Sequence, residues 1–189
     1  MPTYYHVAPP FLHPGEVIPI GQWGRLMRTF PGTGRGVFTV AKALSLTWEA
    51  TLEAVRQSLN PRAPSRLDCV FASITLEEAV GFRDCSRPGS TIYEIAPCSG
   101  QVAIHVGDYA LIAHQCSEAP LVDEWTRRSA SYWTNPSVGI AEVLIGGECV
   151  VLRHVETIVD PPIVSPSIRN LKIIEDETAS LAGNLVNRQ

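Results

Sequence analysis

Late in the chain, two β-rich apolar runs, Val138 to Ile145 and Cys149 to Val155, flank Gly146-Gly147. No other feature constrains the fold as much. Runs of this length read as strands, and the glycine pair between them predicts a hairpin that closes a sheet. The first run holds one carboxylate, Glu142, at the head of Ala141-Glu142-Val143-Leu144-Ile145. A carboxylate there is either a solvated strand-edge residue or part of a site.

Upstream, Tyr4 to Ala8 reads as a first strand stopped by Pro9-Pro10, and Asp68 to Ser73 as a second. Residues 10–36, rich in Gly and Pro and ending in Gly32-Thr33-Gly34-Arg35-Gly36, read as a long loop. That ending lacks the Lys-Ser/Thr of a phosphate loop. Trp48, Leu52, Val55 and Leu59 recur on one helical face, with Ser45 or Thr47 as the cap and Asn60-Pro61 as the stop. Thr75 and Glu78 form a capping-box pattern for a short helix through Ala79 and Phe82. Thr91 to Ile95 is strand-like, Val102–Val106 and Tyr109–Ala113 read as a pair around Gly107-Asp108, and Pro120 opens a helix carrying Val122, Trp125, Tyr132 and Trp133. Strands mixed with short helices, without regular βαβ alternation, predict an α+β fold with antiparallel or mixed sheets.

Length and composition narrow the function. A chain of 189 residues with 45% hydrophobic and 18% charged residues is an ordinary globular one. The formal net charge of −4 disfavours tight, nonspecific binding to a polyanion. Basic surface would have to come from clusters such as Arg25, Arg28 and Arg35, or Arg127 and Arg128 beside Trp133. Five scattered cysteines without a CxxC pair, and no apolar leader after Met1, predict reduced thiols and a cytoplasmic location. No apolar run reaches the roughly 18 residues of a membrane span. His105 and His114 are too isolated to predict a metal site.

Tyr5-His6-Val7, the run Arg66-Leu67-Asp68-Cys69-Val70-Phe71-Ala72-Ser73 and the late Glu142 stand in an order that resembles the ADP-ribosyltransferase fold. The likeness is to DarT-type and poly-ADP-ribose-polymerase-like enzymes and covers roughly residues 4 to 158. It implies a core of two packed antiparallel or mixed β-sheets with short helices. It also implies a catalytic domain over residues 1–158, followed by a Pro-containing linker and tail over 159–189. Members of this family cleave the nicotinamide–ribose bond of NAD and pass ADP-ribose to an acceptor, here a protein or nucleic acid. NAD is the co-substrate, and no metal is implied.

The resemblance assigns Glu142 to the ribose, with Glu148 before Cys149 as its rival. It assigns His6 to the adenosine ribose and the Val7 backbone to the nicotinamide amide. Val7 stands where a branch of the family often has Gly. Ala72 and Ser73 would border the nicotinamide, Phe82 would cover it, and Arg66 would grip the pyrophosphate through its planar fork. The plainer readings are a core His, a core Phe and a surface Arg. The alternative functions are an NAD glycohydrolase, an RNA 2′-phosphotransferase and a noncatalytic binding module of the same fold.

Overall fold

The first strand, β1 (Tyr4–Ala8), ends where Pro9-Pro10 can no longer donate to a ladder. The computed structural model describes residues 2–28, 40–113, 121–135 and 139–155, all within one compact unit of residues 1–156. The Gly32–Gly36 segment with Arg35, His114, Cys116 and the linker and tail over 159–189 lie outside the described residues. The chain is α+β. One four-stranded sheet has the order β1-β4-β7-β2, with β2 (Val17–Ile18), β4 (Thr91–Pro97) and β7 (Cys149–Val155). A three-stranded sheet has the order β3-β6-β5, with β3 (Val70–Ala72), β5 (Ile104–Asp108) and β6 (Ala141–Ile145). Every named pair of strands is antiparallel.

The two late runs do not form the expected hairpin. β6 lies between β3 and β5, whereas β7 lies in the other sheet between β4 and β2. Gly146 and Gly147 therefore make a corner between sheets. Neither has the positive φ that a type I′ turn requires. What they supply is room: a Cβ on Gly147 would lie 2.5 Å from Val102 Cγ1, and one on Gly146 would lie 2.9 Å from Pro64 Cβ.

Residues 10–36 are not all loop, since they contain β2 and α1 (Gln22–Arg28). Gly21 turns the chain at φ +76, and a Cβ on Gly24 would lie 1.9 Å from the Leu67 carbonyl oxygen. These glycines let α1 sit directly on the 3₁₀ turn Arg66–Asp68, which Ser65 caps by accepting from Leu67 N. That turn also shortens the strand expected from Asp68 to the three residues of β3. Residues 109–113 are not a strand either. Asp108 accepts from Ala110 N at 2.9 Å and starts the short helix α4 (Ala110–Ala113).

Helix α2 (Val40–Leu59) begins before Ser45 and Thr47, so neither caps it. Thr47 instead donates its hydroxyl to the Ala43 carbonyl inside the helix. Helix α3 (Leu76–Ser86) carries the complete Thr75–Glu78 capping box. Helix α5 (Leu121–Thr134) packs against α2.

The core has two main parts. Val143 and Ile145 of β6 face the inter-sheet core with Val70, Ala72, Ile95 and Val151. Leu144, one residue out of phase, faces Trp48, Leu52, Trp125, Tyr132 and Trp133 of α2 and α5. Glu142 shares that helix-facing parity. The four cysteines among the described residues are free, and no helix among those residues is long and apolar enough to cross a membrane.

The helical stripe read from the sequence is uneven in burial: Leu52 is 0% exposed and Leu59 is 51% exposed. Leu52→Ala is expected to cost about 2–5 kcal/mol in chemical denaturation. Leu59→Ala should stay within about 0.5 kcal/mol.

Candidate functional site

Among the described residues, β1 is joined to the end of β3 by a single backbone bridge. Tyr5 N donates to the Ser73 carbonyl at 3.0 Å, and Ser73 N returns a bond to the Tyr5 carbonyl at 2.8 Å. Beside this bridge lies a shallow, solvent-open cleft. Its walls include Tyr5 and Val7 of β1, Phe71 to Ser73 around β3, Phe82 of α3, Tyr109, and Ile140 to Glu142 at the start of β6.

Backbone alternation orients the β1 edge. The N–H and C=O of Tyr5 point to Ser73, so those of His6 point to β4, where His6 stands opposite Tyr93. Those of Val7 then point back to the cleft side, past the bridge. Val7 thus presents one donor and one acceptor to the cleft side, with no partner for either among the described residues.

Glu142 supplies the charge. Its side chain is 11% exposed and lines the cleft, yet its carboxylate is held from beneath. The Oε2 atom accepts from Arg66 Nη1 and from the Tyr132 hydroxyl, the latter at 2.6 Å. The Oε1 atom accepts no hydrogen bond among the described residues. Arg66 is itself buried. Its Nε and Nη2 donate to the two oxygens of Glu49 at 3.1 Å each, a bidentate fork. Its guanidinium lies 5.0 Å from the Phe71 ring centroid and 5.6 Å from that of Tyr132.

Burial shapes the ionisation of this group. Loss of solvent raises the Glu142 carboxyl above the ordinary glutamate value, against the opposing pull of Arg66 and the Tyr132 hydroxyl. Burial alone would lower the Arg66 guanidinium, but Glu142 and Glu49 hold it well above its usual value. Burial, with Glu142 next, lifts the Tyr132 phenol well above its usual range, so it stays a donor.

The sequence-predicted residues divide accordingly. Glu142, Val7, Ala72, Ser73 and Phe82 come together around the cleft. Arg66 does not line it: every nitrogen of its fork is committed to Glu49, Glu142 or Tyr132, so a buried clamp replaces the expected pyrophosphate ligand. His6 also stands outside the cleft wall. Its Nδ1 lies 2.7 Å from the Phe71 carbonyl and donates to it, tying the sheets together, and burial lowers its basicity so that the ring is neutral. Glu148 is exposed at the corner between sheets and is absent from the cleft.

The expected basic clusters are partly neutralised, with Arg28 on Asp68 and Arg127 on Glu124. Among the described residues no group of three His, Cys, Asp or Glu could hold a metal ion. His105 is instead engaged with the Tyr132 carbonyl at 3.0 Å.

Sequence reasoning missed Glu49, Tyr109 and the role of Tyr132. Glu49 follows Trp48 on the buried stripe of α2, and a carboxylate in that position signals a buried cation. Tyr109 meets Phe82 edge-to-face at 5.7 Å, so the cleft has two aromatic walls.

Residues 34–160 match the family described as "Protein of unknown function (DUF2441)". This is more than half of the sequence. The chain belongs to that family. The matched DUF2441 segment contains Glu49, Arg66, Phe82, Tyr132 and Glu142, whereas β1 with Val7 precedes it. No curated protein matches the chain.

Arg66→Ala would leave Glu49 and Glu142 buried without their counter-ion. Denaturant melts are expected to show a loss of about 3–5 kcal/mol, the cost of orphaning a buried charge. A change within 1 kcal/mol would mean that water replaces the guanidinium freely.

Proposed function

We propose that this chain is an NAD-dependent mono-ADP-ribosyltransferase that uses the Glu142 cleft. The observation that carries the reading is the state of Glu142: Oε2 doubly held, Oε1 without a hydrogen bond among the described residues, and the carboxylate lining a cleft with the Val7 strand edge and two aromatic walls. The two antiparallel sheets agree with the architecture implied by the resemblance to ADP-ribosyltransferases.

In this reading the nicotinamide lies beside Phe82 and Tyr109, with its amide bonded to the N–H and C=O of Val7. Ala72 and Ser73 form the floor. Glu142 Oε1 accepts from the hydroxyl on C2′ of the adjacent ribose. As the bond between C1′ and the nicotinamide nitrogen breaks, its electron pair goes to the ring and neutralises the pyridinium. Positive charge develops on the ribose, and the hydrogen bond to Glu142 strengthens with it. The lone pair of a nucleophile on a protein or nucleic-acid acceptor then bonds to C1′, and the proton of that nucleophile leaves to solvent. No metal takes part. The paired arginines at Arg28 and Arg127 favour local recognition of the acceptor over a broad basic field.

Glu142→Gln is expected to bind NAD as the wild type does and to release nicotinamide about 10²–10³ times more slowly. Glu148→Gln should be unaffected. Wild-type turnover by Glu142→Gln would refute the assignment. Nicotinamide release with no labelled macromolecule would make water the acceptor and the protein a glycohydrolase.

A further inference from the structure

Gly107 of β5 stands directly opposite Glu142 of β6 in the ladder. A Cβ on Gly107 would lie 2.2 Å from Tyr132 Cε2 and 2.4 Å from its Cζ. Any other residue would therefore collide with the phenol ring, and the collision is with a rigid ring that is itself fully buried. Trp133 and His105 wall the ring on its other sides, at centroid distances of 4.8 and 5.3 Å. The glycine creates a seat across the strand pair from the carboxylate, and from that seat the hydroxyl reaches Glu142 Oε2. The phenol has one hydrogen and gives it to Glu142. Its oxygen accepts from Arg66 Nη1 at 3.3 Å.

We propose that Tyr132, seated on Gly107, is a positioning residue for Glu142: with Arg66 it pins Oε2 and so keeps Oε1 turned to the cleft for the ribose hydroxyl. This rests on the reading of the cleft as an NAD site. Without the tyrosine, Arg66 alone would hold Oε2, and the carboxylate could rotate about its last bond. Among the described residues, the ionisable groups around Glu142 are Arg66 and Cys69 from the 3₁₀ turn and its exit, Glu49 from α2 and Tyr132 from α5, with Tyr5 and Tyr109 on the cleft walls and Glu78 of α3 on the adjacent Ala141 N. His105 of β5 lies within electrostatic range of Arg66. Of these, Arg66 and Tyr132 donate to the carboxylate. The Tyr132 bond favours the charged form, so its loss shifts Glu142 further toward protonation.

Tyr132→Phe removes the hydroxyl and keeps the ring. The first measurement is the carboxyl ¹³C titration of Glu142 in labelled protein without NAD. Its midpoint is expected at higher pH in the variant than in the wild type. The second is nicotinamide release, where kcat should fall roughly 10- to 100-fold, the worth of one charge-assisted hydrogen bond, while KM for NAD stays near wild type. Gly107→Ala, which displaces the ring, should shift the midpoint in the same direction. A Tyr132→Phe midpoint equal to that of the wild type overturns the positioning role, as does an unchanged kcat. A wild type that releases no nicotinamide overturns the NAD reading instead, and the titration still decides the role of Tyr132.

Discussion

One guanidinium organises the half of the molecule that carries the site. Arg66 enters from a 3₁₀ turn and binds Glu49 of α2, Glu142 of β6 and Tyr132 of α5. A buried charge must be paired, and Arg is the side chain whose planar fork can satisfy several partners at fixed angles. Each partner is thereby placed as well as neutralised. Two carboxylates face one guanidinium, and Glu142 is the one that reaches the cleft. A hydrophobic replacement of the same volume could hold the helices against the sheet, but it could not orient a carboxylate.

The second constraint is the short join between β1 and β3. The Tyr5–Ser73 bridge and the His6 bond to Phe71 fasten β1 to β3 over a few residues only. Past the bridge, β1 and β3 share no further pairing among the described residues, and by alternation the Val7 donor and acceptor lie on the cleft side. There α3 brings Phe82 to the rim. Glu78 ties that helix to the strand of the carboxylate: it caps α3 through Thr75 and accepts from Ala141 N at 3.1 Å. Helix, strand edge and carboxylate are therefore set by neighbouring contacts rather than by a loop.

Local signals were legible in the sequence and long-range ones were not. Thr75 and Glu78 are three residues apart, so the capping box could be read directly, as could the strand stopped by Pro9-Pro10. The pairing of Arg66 with Glu49 and Glu142 spans 17 and 76 positions, and no periodicity reports it. Arg66 therefore reads as a surface or ligand-binding cation until its burial is seen. Glycines misled for a related reason. Gly24, Gly107, Gly146 and Gly147 resemble loop and turn residues in the sequence, whereas in the fold each marks a close approach of another atom to the backbone. Read as turns, they turned a docked helix into a loop and two sheets into a hairpin. Glu142 stands out in the sequence as the single carboxylate at the head of an apolar run, and only its late place in an order that resembles the ADP-ribosyltransferase fold sets it apart from a solvated strand-edge residue.

On the proposed function, the cleft between Val7, Phe82 and Glu142 holds the nicotinamide end of NAD. Titrating NAD into ¹⁵N-labelled Glu142→Gln protein tests it most directly, because the variant should bind without consuming the ligand. The largest saturable amide shifts are expected on Val7, Ala72 and Ser73, with Val7 moving in the direction of a newly formed hydrogen bond. Saturating NAD that leaves these amides unmoved, or shifts a different face of the protein, would contradict it.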